Sequence, residues 1–397
     1  MILTALDDVR PGMVLGVGIR NKEGHTLLGP GVALTESYVD RLRDLGYCAM
    51  WIDTEDTSDI PYQDMLTEST RLSATAVVRD IFMVTEREMA RLRAVSSDQV
   101  KNALESPEIP QTFGDHGLLE RLTQQADALV NDVLNWTSLT GLGSIRTHST
   151  RTYQHCLDVA VIATMLGRLL EYDRKALSKL AIGCLIHDIG HVFVQNVLFE
   201  QARQLTTEEI TRVRNHTVLG HLFVRDTLKL GALPAHIVYQ HHEWQDGTGY
   251  PRGLTSTNRH VSRMEMHALG RMIPMAEIAA IADFQDALNS DRPWRPRLPP
   301  DEIWRTLREA AGTHLNREMV DRLLAVLPPY PLGTQVMITS GPYEHHIAVV
   351  SHVERRAMST PVVRVLKTPD GQPMTPRELD LRHDDVTIRG IVVRAAR

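Results

Sequence analysis

Apolar positions change their period twice along the chain, and the changes divide it into segments. Residues 1 to about 55 alternate short apolar runs with the turn signals Pro11-Gly12, Gly24 and Gly29-Pro30-Gly31, which predicts a small β-rich unit interrupted by one helix at Glu36 to Leu45. Asp53 to Asp64 is acidic and contains Pro61, so it reads as a solvated connector. Helical spacing takes over from Met65 to Leu104 and, after a break from Pro107 to Gly117, from Leu118 to Leu134. The long face of the first run suits a homodimer seam or packing onto the next domain, and the helical and β flanks together could meet a signalling-protein partner.

From 140 to 327 nearly every segment reads as helix, in particular Tyr153 to Leu170, Arg174 to Ile186, Thr207 to Leu228 and Met275 to Leu288. After Pro328, Pro329 and Pro331 short β-branched runs follow, Gln335 to Ile338, Ile347 to Val353 and Val362 to Leu366. Turns at Gly341-Pro342 and Asp370-Gly371 separate them. The fold class is therefore mainly α. A helical domain at 140–327 lies between β-rich units at 1–55 and 330–397, joined to the first by a helical region at 65–137.

Composition adds bounds. A chain of 397 residues exceeds what one core usually holds. A content of 43% hydrophobic and 23% charged residues is that of a globular protein. The formal net charge of -6 gives no overall attraction to a nucleic-acid polymer. Cys48, Cys156 and Cys184 are odd in number and form no CxxC pair, which argues for a reducing, cytoplasmic compartment. The start lacks a basic, then apolar, leader. No stretch of about 18 uninterrupted apolar residues predicts a membrane span.

The candidate chemistry lies in the helical domain: His155, His187-Asp188, His216, His241-His242 and Asp283. One histidine on a helix is ordinarily a core or surface side chain. Together, imidazole and carboxylate are the donors that suit iron, manganese or zinc at a hydrolytic site. Two such ions roughly 3.5 to 4 Å apart would activate a water and neutralise a phosphate. His187-Asp188 ends the apolar run Leu180 to Ile186 and precedes Gly190, and a charged group there is costly unless paired or metal-bound.

The segments Tyr153-Gln154-His155, His187-Asp188-Ile189-Gly190, His216, and His241-His242-Glu243 through Asp246-Gly247-Thr248-Gly249-Tyr250-Pro251 resemble the successive motifs of the HD-GYP family. Ala282-Asp283 through Asp286-Ala287-Leu288 and Arg292-Pro293-Trp294-Arg295 continue the match over residues 140–327. The resemblance implies an all-helical HD-type domain, two divalent ions, iron or manganese, and hydrolysis of cyclic di-GMP to the linear dinucleotide pGpG or on to GMP. It implies His155, His187, Asp188, His216, His241, His242 and Asp283 as metal ligands, Asp188 as their bridge, and Tyr250, Arg292 and Arg295 as substrate contacts. Asp246-Gly247 and Gly249-Tyr250-Pro251 alone would read as ordinary turns. Directly after His241-His242, they aim Tyr250 at the ligands.

The sequence departs from the family pattern in three places. His191 stands where a lysine contacts substrate phosphate, so its contribution to catalysis depends on its protonation. Arg151 stands where some members carry a glutamate for a third metal, which favours a binuclear site. The stretch between Leu254 and Asp283 is longer than usual and holds His260, Arg263, Met264, Met266 and His267, as a lid, a partner surface or a tolerated loop. His345-His346 reads as a solvated turn. Two other functions fit the same residues: a catalytically weak or inactive module that senses nucleotide or metal and signals through protein contacts, and a hydrolase of another cyclic dinucleotide.

Overall fold

The computed structural model describes the chain except for residues 21–25, 46, 48, 62–63, 90–116, 137–151, 195–204, 261–270, 291–294, 296 and 393–397. Cys48, Arg151, Arg292, Arg263, Met264, Met266 and His267 thus lie outside the described residues.

The first strands, β1 (Ile2–Ala5), β2 (Val14–Leu15) and β5 (Ala49–Asp53), form an antiparallel sheet in the order β1-β5-β2, with Leu3 opposite Trp51. β3 (Ile19–Arg20) pairs with β4 (Thr26–Leu28). Helix α1 (Glu36–Asp44) begins where Thr35 accepts a hydrogen bond from the Tyr38 amide, and it buries Val39 and Leu42 against Leu6, Leu15 and Ile52.

At the other end, β6 (Gln335–Ile338), β7 (Ile347–His352), β8 (Val362–Lys367), β9 (Pro373–Asp380) and β10 (Ile388–Gly390) form an antiparallel sheet in the order β10-β6-β7-β8-β9. The periodicity predicts β6 to β8 closely and misses β9 and β10, and β9 carries two prolines, Pro373 and Pro376, which weaken a strand signal. Proline is tolerated at a strand's start and on a sheet edge, and β9 is an edge. The two β units pack together. Gln335 donates to the Leu3 carbonyl at 2.7 Å, Ile2, Ile60 and Val349 share one apolar cluster, and Arg364 bridges Asp59 and Glu378 at 2.7 Å each.

Between them, one continuous core joins the helices. Helix α2 (Glu68–Met89) sets Ala74, Val77, Val78, Ile81 and Phe82 into it, and α3 (Leu118–Asn135) adds Leu122, Leu129 and Val133. Of the two uses expected for the Met65–Leu104 face, packing is the one that its described part, α2, shows, against the helical domain. α4 (Thr152–Leu169) and α5 (Arg174–Leu185) are buried through most of their length, so their apolar positions surround the axis rather than line one stripe. The stretch Arg174–Phe193 is apolar and long enough to cross a membrane, and 72% of it is buried inside the fold.

The single helix expected from Thr207 to Leu228 is instead α6 (Thr207–Arg214), α7 (His216–Leu222) and a π-helical turn, Phe223–Thr227. Thr206 and Glu209 form a capping box at the start of α6. Helices α8 (Ala232–Gln240), α9 (Pro274–Leu288), α10 (Pro300–Ala310) and α11 (Arg317–Leu324) complete the bundle.

Candidate metal centre

Five separate segments bring the expected ligands together. His155 lies on α4, His187-Asp188 ends α5, His216 opens α7, His241-His242 follows α8, and Asp283 sits on α9. The α5 end and α7 touch backbone to backbone at Gly190, where a Cβ would stand 1.8 Å from the His216 carbonyl oxygen. Only glycine allows that approach, which sets His187 and Asp188 beside His216.

Three of the imidazoles are fixed by backbone. Nδ1 of His187 lies 2.8 Å from the Cys184 carbonyl, Nδ1 of His216 2.7 Å from that of Val213, and Nδ1 of His241 2.9 Å from that of Val238. A carbonyl only accepts, so each Nδ1 carries the proton and each Nε2 presents a lone pair inward. All three Nε2 atoms face Asp188 Oδ1, at 3.5, 3.7 and 3.7 Å. Nε2 of His155 stands 3.5 Å from Asp188 Oδ2 and 3.3 Å from Asp283 Oδ1, and Nδ1 of His242 is 3.8 Å from Asp283 Oδ2.

Charge follows from this crowding. Burial alone would raise Asp188, but His187, His191 and the hydrogen bond from His155 hold it well below the usual carboxylate range. Asp283 is likewise held low against burial, chiefly by His155. Burial would lower His155, yet Asp188, Asp283 and Asp286 raise it well above an ordinary histidine. His216 is pushed far down by burial and then by His191, and His242 falls to about 3 through burial and His241.

These residues fit a metal. The Nε2 of His187 is buried with no hydrogen-bond partner, an orphan that a cation would satisfy. Two atoms each about 2.1 Å from a common ion stand roughly 3 to 3.8 Å apart at ligand angles of about 90 to 130°, and the separations here run from 3.3 to 3.8 Å. Among the described residues four three-donor groups arise: His216 with His241 and His242, His155 with His187 and Asp283, His187 with Asp188 and His241, and Asp188 with His191 and His216. His345-His346 lie on the turn between β6 and β7 and enter none of them.

Tyr250 reaches the centre as the motif order implies. Its ring lies 4.7 Å from that of His242, and burial, followed by Asp283 and Asp188, raises its phenol. The loop that carries it is held by Glu243, a fully buried carboxylate accepting from the Arg252 and Leu254 amides at 2.7 Å each. Arg295 does not join the cluster. Its guanidinium donates to the Ala287 carbonyl at 2.7 Å and caps the end of α9.

Three residues with no role in the sequence reading emerge. Asp286 accepts from Nδ1 of His155 at 2.6 Å, one turn after Asp283 on the same helix. Glu243 anchors the Tyr250 loop. Arg214, exposed at the end of α6, places its guanidinium 5.0 Å from the centre of the Tyr250 ring. The i,i+3 spacing of Asp283 and Asp286 was the available signal for the first; nothing in the sequence pointed to Arg214.

Residues 138–319 match the family model described as HD domain. Over 351 residues the chain is 27% identical to a cyclic di-GMP phosphodiesterase of Pseudomonas aeruginosa, covering 86% of this chain and 79% of that protein. It is 27% identical over 175 residues to a cyclic di-GMP phosphodiesterase of Thermotoga maritima, 44% of each chain. A solved HDG"Y"P protein from Bdellovibrio bacteriovorus aligns over 82% of this chain and 98% of its own, with 17% identity and a TM-score of 0.48.

Proposed function

We propose that this chain is a metal-dependent phosphodiesterase that hydrolyses cyclic di-GMP, to pGpG or onward to GMP. The observation that carries the reading is the convergence of the His187, His216 and His241 Nε2 atoms on Asp188 Oδ1, each imidazole held from behind by a backbone carbonyl. The Pseudomonas relative, named a cyclic di-GMP phosphodiesterase, aligns with 86% of this chain, which supports the substrate.

His155, His187, Asp188, His216, His241, His242 and Asp283 would hold two divalent ions, iron or manganese. When bound, these supply a nucleophilic hydroxide near neutral pH and neutralise phosphate charge. The chain's own groups prepare for that. Asp188 and Asp283 stay ionised at neutral pH and therefore only accept. His216 and His242 stay neutral, so each keeps a lone pair for ligation. Tyr250 stays a neutral phenol, offering one proton to the substrate and a flat face to a guanine. Arg214 and Arg292 take the phosphates, a task suited to a planar guanidinium. Arg295 acts at one remove by fixing the end of α9, which carries Asp283.

The test is product chromatography after incubating purified protein with manganese or iron and either cyclic di-GMP or a mixed cyclic dinucleotide. Cyclic di-GMP is expected to be consumed faster, and Asp188→Asn to abolish turnover. Tight binding of cyclic di-GMP that leaves it intact would instead identify a sensor module.

A further inference from the structure

We propose that His191 is itself a metal ligand, so that this centre has one more imidazole donor than the seven-residue set above. The inference rests on the metal-centre reading and deepens it. Asp188 and His191 flank the first turn of a 3₁₀ segment, Ile189–Phe193, and the His191 amide donates to the Asp188 carbonyl at 3.0 Å. Residues three apart eclipse in that geometry, so both side chains leave the backbone on one side. As a result His191 Nε2 stands 3.3 Å from Asp188 Oδ1, nearer than the corresponding atoms of His187, His216 and His241.

The second observation is independent of the first. The His191 ring stacks on that of His216, with centroids 4.0 Å apart and planes 21° from parallel. Stacked in this way, both rings turn Nε2 toward the same oxygen, Asp188 Oδ1, at 3.3 and 3.7 Å. With Asp188 they form a group of three donors, all within 4.8 Å of one another. Two imidazoles and one carboxylate are a sufficient protein ligand set for a first-row divalent ion that keeps an open position.

A lysine at this place holds phosphate through a charged ammonium that has no lone pair to give. Histidine exchanges that charge for a donor. The chain has thus moved one group from substrate to metal, while the Arg214 guanidinium lies 5.0 Å from the centre of the Tyr250 ring. The centre gains a tighter hold on the ion that Asp188 and His216 share.

Calorimetric titration of the full chain with Mn²⁺, together with the visible absorption of the Co²⁺-loaded protein, tests this without reference to turnover. Variants His191→Gln and His191→Lys are compared with the parent, each checked by circular dichroism for an unchanged helical fold. Loss of the donor is expected to weaken the Mn²⁺ site at least tenfold in both variants and to alter the Co²⁺ bands. Lysine is expected to rescue neither. Unchanged Mn²⁺ affinity and an unchanged Co²⁺ spectrum in both variants, even with turnover lost, would place His191 on the substrate and overturn the proposal. If the parent chain itself binds neither ion, the metal-centre reading falls with it.

Discussion

Nδ1 of His155 and Oδ2 of Asp286 lie 2.6 Å apart, both buried, with the opposite imidazole nitrogen turned toward Asp188 and Asp283. A carboxylate behind a ligating histidine fixes the ring's tautomer and raises its basicity. Asp286→Asn should therefore weaken metal binding by about 10–100-fold with little change in melting temperature. Competition of Mn²⁺ against a chelating dye reads the affinity. Equal affinity in variant and parent would show that His155 needs no such support.

Gly190 carries a prediction about stability. A methyl group there would meet the His216 carbonyl oxygen at 1.8 Å and the Gly220 amide at 2.9 Å, all backbone atoms that cannot rotate away. Gly190→Ala is expected to cost about 2–4 kcal/mol, because α7 must shift bodily. Gly29→Ala, with nothing within 4 Å of the new Cβ, is the control and should stay near neutral. Urea denaturation of the two variants measures the difference.

Glu277 gives a pH dependence with a definite sign. It is buried, accepts from Gln245 at 2.7 Å and Asn316 at 3.2 Å, and its carboxyl is raised by that burial. The folded chain then holds this proton more firmly than the unfolded one. The stability this contributes is complete below the ordinary glutamate pKa and is lost as pH rises through the folded value. Relative to the parent, Glu277→Gln should therefore gain melting temperature as pH rises from 5 to 8. A constant offset across that range would contradict the assignment.

Arg214 separates substrate binding from metal binding. Its guanidinium lies over the Tyr250 ring and is far in sequence from the Arg292 region. Arg214→Ala should raise KM for cyclic di-GMP about tenfold, the loss of roughly one charge-assisted contact, while Mn²⁺ affinity stays the same. Steady-state kinetics with manganese in excess decides it.

Much of the centre was legible before any coordinates. His155, His187, Asp188, His216, His241, His242 and Asp283 stood out as a set, because metal-donor types recur through one helical region and their order resembles the HD-GYP motifs; only His187-Asp188 also ends an apolar run beside a glycine. Helices such as α5 and α9 follow from apolar density. The break of Thr207–Leu228 at Asn215 was not legible, since no proline or glycine marks it and Asn215 keeps helical angles of φ -65° and ψ -12°. β9 was hidden by its two prolines. Asp286, Glu243 and Arg214 act through distances of tertiary origin. A carboxylate that supports a ligand or holds a loop has no period of its own in the sequence.

The account rests on Asp188 Oδ1 and the imidazoles around it forming a cation site. Anomalous diffraction at the manganese edge, from crystals of the full chain grown with Mn²⁺, tests this most directly. The account predicts peaks bonded to Asp188, with His187, His216 and His241 on one side and His155 and Asp283 on the other. An empty cluster at saturating Mn²⁺, with the same side chains in place, would contradict it.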